Sequence, residues 1–309
     1  MRRAFIQSLC RLAARDPRIV LLTGDLGFLA LEPFRQQFPD RFLNAGVAEQ
    51  NMIGLATGLA EGGFIPYTYS IATFASLRPL EFIRNGPVLH NLPVRMAGMG
   101  AGFEYGHAGA SHYGTEDIAV LRTLPGLTVV IPADPAQTVT AMDRTSQLPG
   151  PVYYSLGKDD HAALPELGGR FELGRAQVIR RCGEIAIISM GAVSGEAIAA
   201  ADELAGRGIE AAVAVVSNFN PDPSDDLAEL LAGCSHAVTV EAQTVSGGLG
   251  ACVATIIATE GLACRLRALA VRTPPDGTSG SPRERWRKHG LDCTSIVSTV
   301  LEMAGAACR

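Results

Sequence analysis

The sequence lacks the features that mark nucleic-acid-binding and membrane proteins. It has 31 acidic and 26 basic residues and a formal net charge of -5, so no basic surplus is available to attract a phosphate backbone. No apolar run approaches about 18 residues without a charge, and the arginine-bearing start has no hydrophobic signal segment. We therefore expect no nucleic acid and no membrane among its partners.

Cysteine is sparse and scattered, which argues against a disulfide framework and against a zinc site. The cysteines are odd in number, and no two have the CxxC spacing of zinc ligands. They are Cys10, Cys182, Cys234, Cys252, Cys264, Cys293 and Cys308. We expect free thiols in a reducing cytoplasm.

Intrinsic disorder is excluded as well, because 47% of the residues are hydrophobic and only 18% are charged.

The pattern along the chain is that of an α/β protein. Short apolar runs alternate with longer helical stretches, which is typical of buried parallel strands in βαβ units. Strands are predicted at 18–23, 42–45, 94–97, 128–131, 152–156, 184–189, 211–216, 237–241 and 265–271. Helices are predicted at 3–15, 48–62, 135–147, 194–207, 225–233, 248–260 and 292–304.

A polar, glycine-bearing stretch interrupts this alternation between residues 158 and 182. Its composition predicts a linker with one hairpin. The length of 309 residues also suits about two domains. We therefore predict an α/β fold with two successive α/β domains and mostly parallel sheets, the first at 1–157 and the second at 183–309.

Two glycine-rich segments are reminiscent of ligand-binding loops. Residues 98–102 (GMGAG) have no helix directly after them, as a dinucleotide-binding loop requires, so we reject that interpretation. Residues 246–250 (SGGLG) precede a predicted helix and are able to hold an anion at its start. A tight strand-to-helix turn with close backbone packing is the favoured interpretation for this segment.

Glu49 stands at a predicted strand-to-helix junction within the segment NAGVAEQNM. The helix that follows is rich in small residues, Gly54, Ala56, Gly58 and Ala60, which let another backbone approach closely. This places Glu49 near a buried interface, where burial raises the pKa of a carboxyl group and lets it donate a hydrogen bond while protonated. From composition alone, the favoured role is simpler: an acidic side chain that stabilises the helix N-terminus.

His112 lies in a glycine-flanked loop, GASHYGTED, directly before a predicted helix. Thr115 and the acidic residues after it suit the N-cap and first turn of that helix. A histidine just outside a helix start is well placed to contact a ligand. A surface histidine without a role fits these residues equally well, so both interpretations stay open at this point.

Longer strings make a family resemblance specific. GVAEQNMIGLATGLAEGGFIPYTYSIATF, LRPLEFIRN and GHAGASHYGTEDIAVLRTLPGLTVVIPADP resemble the pyrimidine-binding domain of transketolase. VTVEAQTVSGGLG and GSPRERWRKHGLD resemble the C-terminal domain of that family. The resemblance covers nearly the whole chain, and is closest to the separately encoded C-terminal subunit of split transketolases. The family's GDG…N motif for Mg²⁺ and diphosphate is not in this chain, where Gly24-Asp25 is followed by Leu26.

The resemblance implies a cofactor, a partner and roles for particular residues. It implies thiamine diphosphate, with Mg²⁺ held by an N-terminal subunit, and an α₂β₂ assembly in which this chain also forms a homodimer. Glu49 matches the glutamate that hydrogen-bonds N1′ of the aminopyrimidine, and Phe74 matches the aromatic residue that stacks on it. Asp25 and Leu26 match a pair near the cofactor, and His112 matches the active-site histidine that contacts substrate oxygens.

The chain also departs from the family pattern where phosphorylated ketoses are bound. Four substrate-contacting positions fall at Gly100 or Ala101, Ala108, Leu29 and Lys158. Of these only Lys158 carries a charge, and lysine binds phosphate as a point charge without the fork of arginine.

Two further aromatic positions of the family motif are Ile71 and Leu77, while His107 and Glu104 are additional polar groups. We therefore take His107 and Lys158 as candidate substrate contacts. The hypothesis is a substrate other than the usual pentose phosphates, or a phosphate held elsewhere.

The function indicated by the resemblance is transfer of a two-carbon ketol unit from a ketose to an aldehyde or another acceptor. The alternative is an E1 β-type component of a 2-oxo acid dehydrogenase, or a related enzyme with a carrier-bound acceptor. A third possibility is a non-catalytic partner chain, against which the joint presence of Glu49, Phe74 and His112 argues. A deoxyxylulose phosphate synthase is disfavoured, because that enzyme carries its diphosphate domain in the same chain.

Overall fold

Two sheets with flanking helices organise residues 1–181 and 183–307, which the computed structural model describes. The helices are α1 (Arg2–Arg15), α2 (Glu32–Gln37), α3 (Glu49–Glu61), α4 (Ala72–Ser76), α5 (Leu80–Ile83), α6 (Asp117–Leu121), α7 (Pro135–Thr145), α8 (Ser194–Ala205), α9 (Ser224–Ala232), α10 (Leu249–Thr259), α11 (Pro282–His289) and α12 (Cys293–Ala307). Short 3₁₀ helices span Pro39–Arg41, Gly106–Ala108, Ala110–His112 and Gly191–Val193, and a π-helical segment spans Arg84–Val88.

The strands are β1 (Ile19–Thr23), β2 (Phe42–Asn44), β3 (Ile65–Ile71), β4 (Arg95–Met99), β5 (Thr128–Val130), β6 (Val152–Leu156), β7 (Gln177–Arg180), β8 (Ile185–Met190), β9 (Ala211–Val216), β10 (Asn218–Phe219), β11 (His236–Thr244) and β12 (Arg265–Val271). The first sheet has the order β10-β5-β6-β4-β3-β1-β2, and the second has the order β12-β11-β8-β9-β7. Every pairing is parallel except β10 with β5 and β7 with β9.

The predicted α/β class with mostly parallel sheets is confirmed. Strands β1, β4, β6, β8 and β9 are buried along their whole length, as expected of strands covered by helices on both faces. Each predicted strand and helix is present, with ends that differ by no more than three residues. The division at 157 and 183 stays a prediction, because β10 comes from the second half of the chain and pairs with the first sheet.

Two local expectations have different outcomes. The hairpin expected in the linker is wrong, because the strand there, β7, pairs with β9 of the second sheet. The tight turn expected at residues 246–250 is confirmed. There the Glu241 carboxylate accepts hydrogen bonds from the amides of Leu249 (2.7 Å) and Gly250 (2.8 Å) at the start of α10. A Cβ on Gly248 would lie 2.0 Å from that carboxylate, so only glycine fits the turn.

Five cysteines are free, namely Cys10, Cys234, Cys252, Cys264 and Cys293. Cys182 and Cys308 lie outside the described residues. Burial raises the pKa of the Cys252 thiol to about 11, which keeps that thiol protonated and unreactive at neutral pH. Among the helices described here, none is long and apolar enough to cross a membrane.

Candidate functional site

The sequence-predicted residues gather beyond the carboxyl ends of the parallel strands in the first sheet. Residue 25 follows β1, residue 49 follows β2, residue 74 follows β3, residue 112 belongs to the loop after β4, and residue 158 follows β6. Open parallel sheets bind ligands at this edge, because loops from several strands converge there. The fold thus brings residues that are more than a hundred positions apart in sequence to one site.

Glu49 is a deeply buried acidic side chain of this site. It begins α3 and is only 1% exposed. One carboxylate oxygen, Oε1, accepts a hydrogen bond of 2.8 Å from the Ser70 hydroxyl on β3. The other oxygen, Oε2, accepts a hydrogen bond from the guanidinium of Arg78. Gly24 faces Oε1, and a Cβ at that glycine would lie 3.2 Å from the oxygen.

Phe74 provides an aromatic face beside this carboxylate. It lies on α4, and the same Arg78 guanidinium is 4.6 Å from the centroid of its ring. The His112 ring meets Phe74 edge-on, with 5.3 Å between centroids. Because one planar, N–H-donating cation contacts both the Glu49 carboxylate and the Phe74 ring, the pair can hold a flat nitrogen heterocycle in the same way.

The loop that carries His112 is fixed at its base. Gly114 bridges to Ala101 and Gly102 directly after β4, so the intervening residues form a closed loop. The Ser111 hydroxyl lies 2.9 Å from Nδ1 of His112. When Ser111 donates this hydrogen bond, the neutral imidazole carries its proton on Nε2 and can donate it to an oxygen atom of a ligand.

Lys158 approaches the same region from the end of β6. Its Nζ lies 4.0 Å from the centroid of the Tyr105 ring, and that ring is 6.2 Å from the His112 ring. The backbone amide of Lys158 donates to Glu104 Oε2 at 3.0 Å. Burial lowers the pKa of Lys158, and the nearby charge of Arg2 acts in the same direction. Burial also raises the pKa of Glu104.

Asp25 and Leu26 line the rim of the site rather than its interior. Asp25 is exposed, has a positive φ of 56°, and is fixed by two hydrogen bonds with Asn44, one of them from Asn44 Nδ2 to its carboxylate at 2.8 Å. Leu26 is half-buried, and its carbonyl accepts a hydrogen bond of 2.9 Å from Thr23. Both residues are held in place by β1 and β2, next to Gly24 and thus next to Glu49.

His107 lies at the outer end of the loop, near the C-terminal half of the chain. It is exposed, and it lies close enough to Glu284, at the start of α11, to interact with it electrostatically. The Ser281 backbone hydrogen bond is the main cause of the lowered pKa of Glu284, and the charge of His107 contributes. The described contacts therefore bring together Glu49, Phe74, His112 and, through Tyr105, Lys158, whereas His107 is turned towards α11.

The C-terminal half supports the His112 loop directly. The Gly280 amide donates to the Gly106 carbonyl at 3.1 Å, and a Cβ on Gly106 would lie 2.3 Å from the Gly280 oxygen. The Tyr113 hydroxyl donates to the Thr278 carbonyl at 2.6 Å. The His289 ring stacks on Phe103 with 5.0 Å between centroids. Residues 278–289 thus form one wall behind the loop.

Asp117 forms a buried polar cluster beneath α4. Its Oδ2 accepts hydrogen bonds from Ser155 (2.7 Å) and Tyr153 (2.9 Å), and its Oδ1 accepts one from the amide of Ile118. The Tyr153 hydroxyl also lies 3.5 Å from the Ala72 carbonyl in α4. Burial raises the pKa of Asp117 to about 6, although all three hydrogen bonds favour its charged form.

A group of exposed apolar side chains lies in the same part of the chain as the site. They are Phe28, Leu29, Leu43, Val47, Leu55, Phe64, Leu77, Phe82 and Leu89. On α3, Gly54 and Gly58 are also exposed, and a Cβ on Gly58 would meet nothing within 4 Å. Exposed apolar groups of this kind typically mark a surface for another protein chain. The close approach of another backbone to the small residues of α3 stays a prediction; within this chain the Phe82 ring lies near Gly54, 3.9 Å from where a Cβ would be.

Sequence reasoning missed several groups that complete the site. Arg78 and Ser70 hold Glu49, and Tyr105 links Lys158 to His112. The available signals were a lone arginine four residues after Phe74 and a serine in a buried strand. Within residues 1–181 and 183–307, no cluster of three or more His, Cys, Asp or Glu side chains is arranged to hold a metal ion.

Comparison with known proteins gives two family matches that together span most of the chain. The family model described as transketolase, pyrimidine binding domain, matches residues 1–161. The one described as transketolase, C-terminal domain, matches residues 174–296.

Two named relatives and one solved structure are similar over most of their length. A 6-deoxy-6-sulfo-D-fructose transketolase subunit of Clostridium sp. is 35% identical over 304 residues, which cover 98% of this chain and 94% of that protein. An apulose-4-phosphate transketolase subunit of Actinobacillus succinogenes is 32% identical over 276 residues, 88% of both chains. A structure described as a split gene transketolase, inactive beta4 tetramer, has a TM-score of 0.87 at 34% identity and covers 97% of both chains.

Proposed function

The chain belongs to the transketolase family, and on that premise we propose that it is the C-terminal, pyrimidine-binding subunit of a two-component transketolase that depends on thiamine diphosphate. It transfers a two-carbon ketol unit from a ketose donor to an aldehyde or another acceptor. The observation that carries the proposal is the buried carboxylate of Glu49, 1% exposed, which contacts the same guanidinium as the face of the Phe74 ring.

Different residues of this chain make different contacts with the aminopyrimidine ring. Thiamine diphosphate, when bound, supplies the carbon nucleophile on which ketol transfer depends. Glu49 holds the proton at N1′ of the aminopyrimidine, and the Ser70 hydrogen bond of 2.8 Å fixes the orientation of its carboxyl group. Phe74 supports the flat face of that ring. Asp25 and Leu26 lie at the rim next to Gly24, and we propose them as further contacts that would hold the cofactor.

His112 acts on the substrate. With Ser111 donating to Nδ1, the imidazole presents Nε2–H and stabilises negative charge on a substrate oxygen during transfer. We propose Lys158 and His107 as further substrate contacts. Lys158 lies beyond Tyr105 from His112, where it can meet an anionic group at the far end of a sugar. Two relatives are named for apulose 4-phosphate and 6-deoxy-6-sulfo-D-fructose, which both carry such a group.

The enzyme requires a second kind of chain. We propose an N-terminal subunit that holds Mg²⁺ and the diphosphate, in an α₂β₂ assembly in which this chain also pairs with itself. The exposed apolar side chains around α3, including Val47, Leu77 and Phe82, support such contacts. The similar split-gene transketolase is described as an inactive beta4 tetramer, which supports both self-association and the need for a partner.

Calorimetry with thiamine diphosphate and Mg²⁺ tests this function on the chain alone and on its mixture with the N-terminal subunit. We expect binding in the mixture only. Glu49→Gln should lower turnover of the mixture by about 100-fold or more, because the amide cannot exchange a proton with N1′. Glu61→Gln, at the exposed opposite end of α3, is the matched control and should leave turnover unchanged.

The donors for this assay are phosphorylated and unphosphorylated ketoses, since the anionic end of the substrate is part of the proposal. Tight cofactor binding by the chain alone would contradict the two-subunit arrangement. Wild-type turnover in Glu49→Gln would remove Glu49 from the mechanism.

A further inference from the structure

Arg78 makes the two contacts that the aminopyrimidine needs. The residue follows α4, and its side chain is 37% exposed while that of Glu49 is 1% exposed. Its guanidinium donates a hydrogen bond to Glu49 Oε2 and lies 4.6 Å from the centroid of the Phe74 ring. A single side chain thus occupies both the buried carboxylate and the aromatic face.

The guanidinium and a protonated aminopyrimidine share the chemistry that these contacts select. Both are flat and delocalised, both donate N–H to a carboxylate, and both stack on an aromatic ring. Ser70 already donates to Oε1 of Glu49, and the backbone of Gly24 lies beside that oxygen, where a Cβ would be 3.2 Å away. A ligand can therefore reach the carboxylate through its other oxygen, Oε2, to which Arg78 donates its hydrogen bond.

An ion pair with a purely structural role would have a different setting. In a structural ion pair both charges are shielded from solvent, and removing one of them leaves the other buried without a partner. Here the arginine is more than a third exposed, and its long side chain can turn into solvent without unfolding any element. The carboxylate stays behind with its hydrogen bond from Ser70, so it stays oriented when the arginine leaves.

We propose that Arg78 is an internal stand-in for the aminopyrimidine: it covers Glu49 and Phe74 and has to be displaced before the cofactor ring can enter. This inference rests on the proposed function, because the displaced contacts are those assigned to the cofactor. Arg78 thereby competes with the cofactor ring for Glu49 Oε2 and for the face of Phe74, while Ser70 keeps the carboxylate oriented. It opposes cofactor binding, because its own ion pair and its contact with the Phe74 ring are lost on displacement.

The test compares the affinity for thiamine diphosphate, measured by calorimetry on the assembled two-subunit enzyme, across a set of variants. We expect Arg78→Gln to bind about tenfold more tightly than wild type, with a faster association rate in stopped flow, because the competing contacts are gone. Arg78→Lys keeps the charge but loses the flat fork, so its affinity should lie between the two. The control is Arg84→Gln, an exposed arginine bonded to Asn85 (2.7 Å) on the same surface, which should bind as wild type.

The outcomes separate this inference from the proposed function. If the wild-type assembly binds thiamine diphosphate and Arg78→Gln binds equally or more weakly, the stand-in is wrong and the function stands. If the wild-type assembly does not bind thiamine diphosphate, the proposed function itself fails. Should Arg78→Gln not fold, as judged by circular dichroism, Arg78→Lys carries the test alone. If Arg78→Lys binds thiamine diphosphate more tightly than wild type, the proposal that Arg78 stands in for the aminopyrimidine is supported. Unchanged or weaker binding would overturn it.

Discussion

Replacing Asp117 with asparagine should change how the stability of this chain depends on pH. Asp117 is buried beneath α4, and burial raises its pKa from 3.8 to about 6, with the charge of Glu116 acting in the same direction. The hydroxyls of Ser155 and Tyr153 and the amide of Ile118 oppose this shift. Because the pKa is higher in the folded chain than in the unfolded chain, the folded state binds the proton more strongly. Stability from this group therefore rises as the pH falls through about 6.

The size of the effect follows from the two pKa values. One unit of pKa corresponds to about 1.4 kcal/mol. At about pH 7.5 the carboxyl group is ionised in both states, whereas at about pH 5 it is protonated in the folded chain and still ionised in the unfolded one. The lower pH is about one unit below the pKa of Asp117 in the folded chain. On acidification from about pH 7.5 to about pH 5, the free energy of unfolding of the wild-type protein should therefore rise by about 1.4 kcal/mol relative to that of Asp117→Asn.

The assay is urea denaturation of both proteins at several pH values, read as the difference between their free energies of unfolding. Other titrating groups are common to both proteins and largely cancel in that difference. Ser155→Ala supplies a second variant: it removes a hydrogen bond that favours the charged form, so the pKa of Asp117 should rise further and the gain should begin at higher pH. A difference that stays flat, or that falls with acidification, would refute burial as the dominant influence on Asp117.

Two further predictions concern packing and helix capping. Gly98→Ala should lower the free energy of unfolding by about 1–3 kcal/mol in urea, because its Cβ would lie 2.1 Å from the Tyr153 hydroxyl. Gly305→Ala, where a Cβ meets nothing within 4 Å, should be neutral or stabilising, and equal losses in both variants would contradict the packing argument. Ser281→Ala should lower stability by about 1 kcal/mol, because Ser281 and Glu284 form a capping box at the start of α11. Thermal unfolding measures this loss, and an unchanged midpoint would show that the cap does not hold α11.

The fold was predictable where the apolar pattern is continuous. Runs such as IVLL (19–22) and AAVAVV (211–216) have no polar residue that could interrupt a buried strand, and the structure has β1 and β9 there. The strand β3 was missed because its sequence, IPYTYSI, mixes a proline, hydroxyl groups and aromatic rings. Six of its seven residues are nevertheless buried, Thr68 and Ser70 among them, and the Ser70 hydroxyl donates a hydrogen bond to Glu49. The pairing of β7 with β9 depends on contacts across the sheet, which the local composition of the linker does not contain.

Only the site residues that belong to family-like motifs could be predicted from the sequence. Glu49, Phe74 and His112 were identified from strings that resemble the transketolase family, and the structure gathers them at one edge of the first sheet. Arg78 could not be assigned from the sequence, because its contact with Glu49 spans 29 residues and depends on where α4 ends. Lone charged residues after a helix are usually solvated, so only the three-dimensional arrangement separates this arginine from the exposed Arg84.

The contacts between the two halves give the C-terminal part of the chain a role at the site. The His112 loop contains only two short 3₁₀ turns, and Gly114 closes it. Behind it, Gly280 bonds to Gly106, and His289 stacks on Phe103. The strand β10 ties the same half into the first sheet. The role proposed for His112 requires its ring to be held to a fraction of an ångström, and an unsupported loop cannot provide that. The second half is therefore part of the framework that positions His112, and the chain works as one unit.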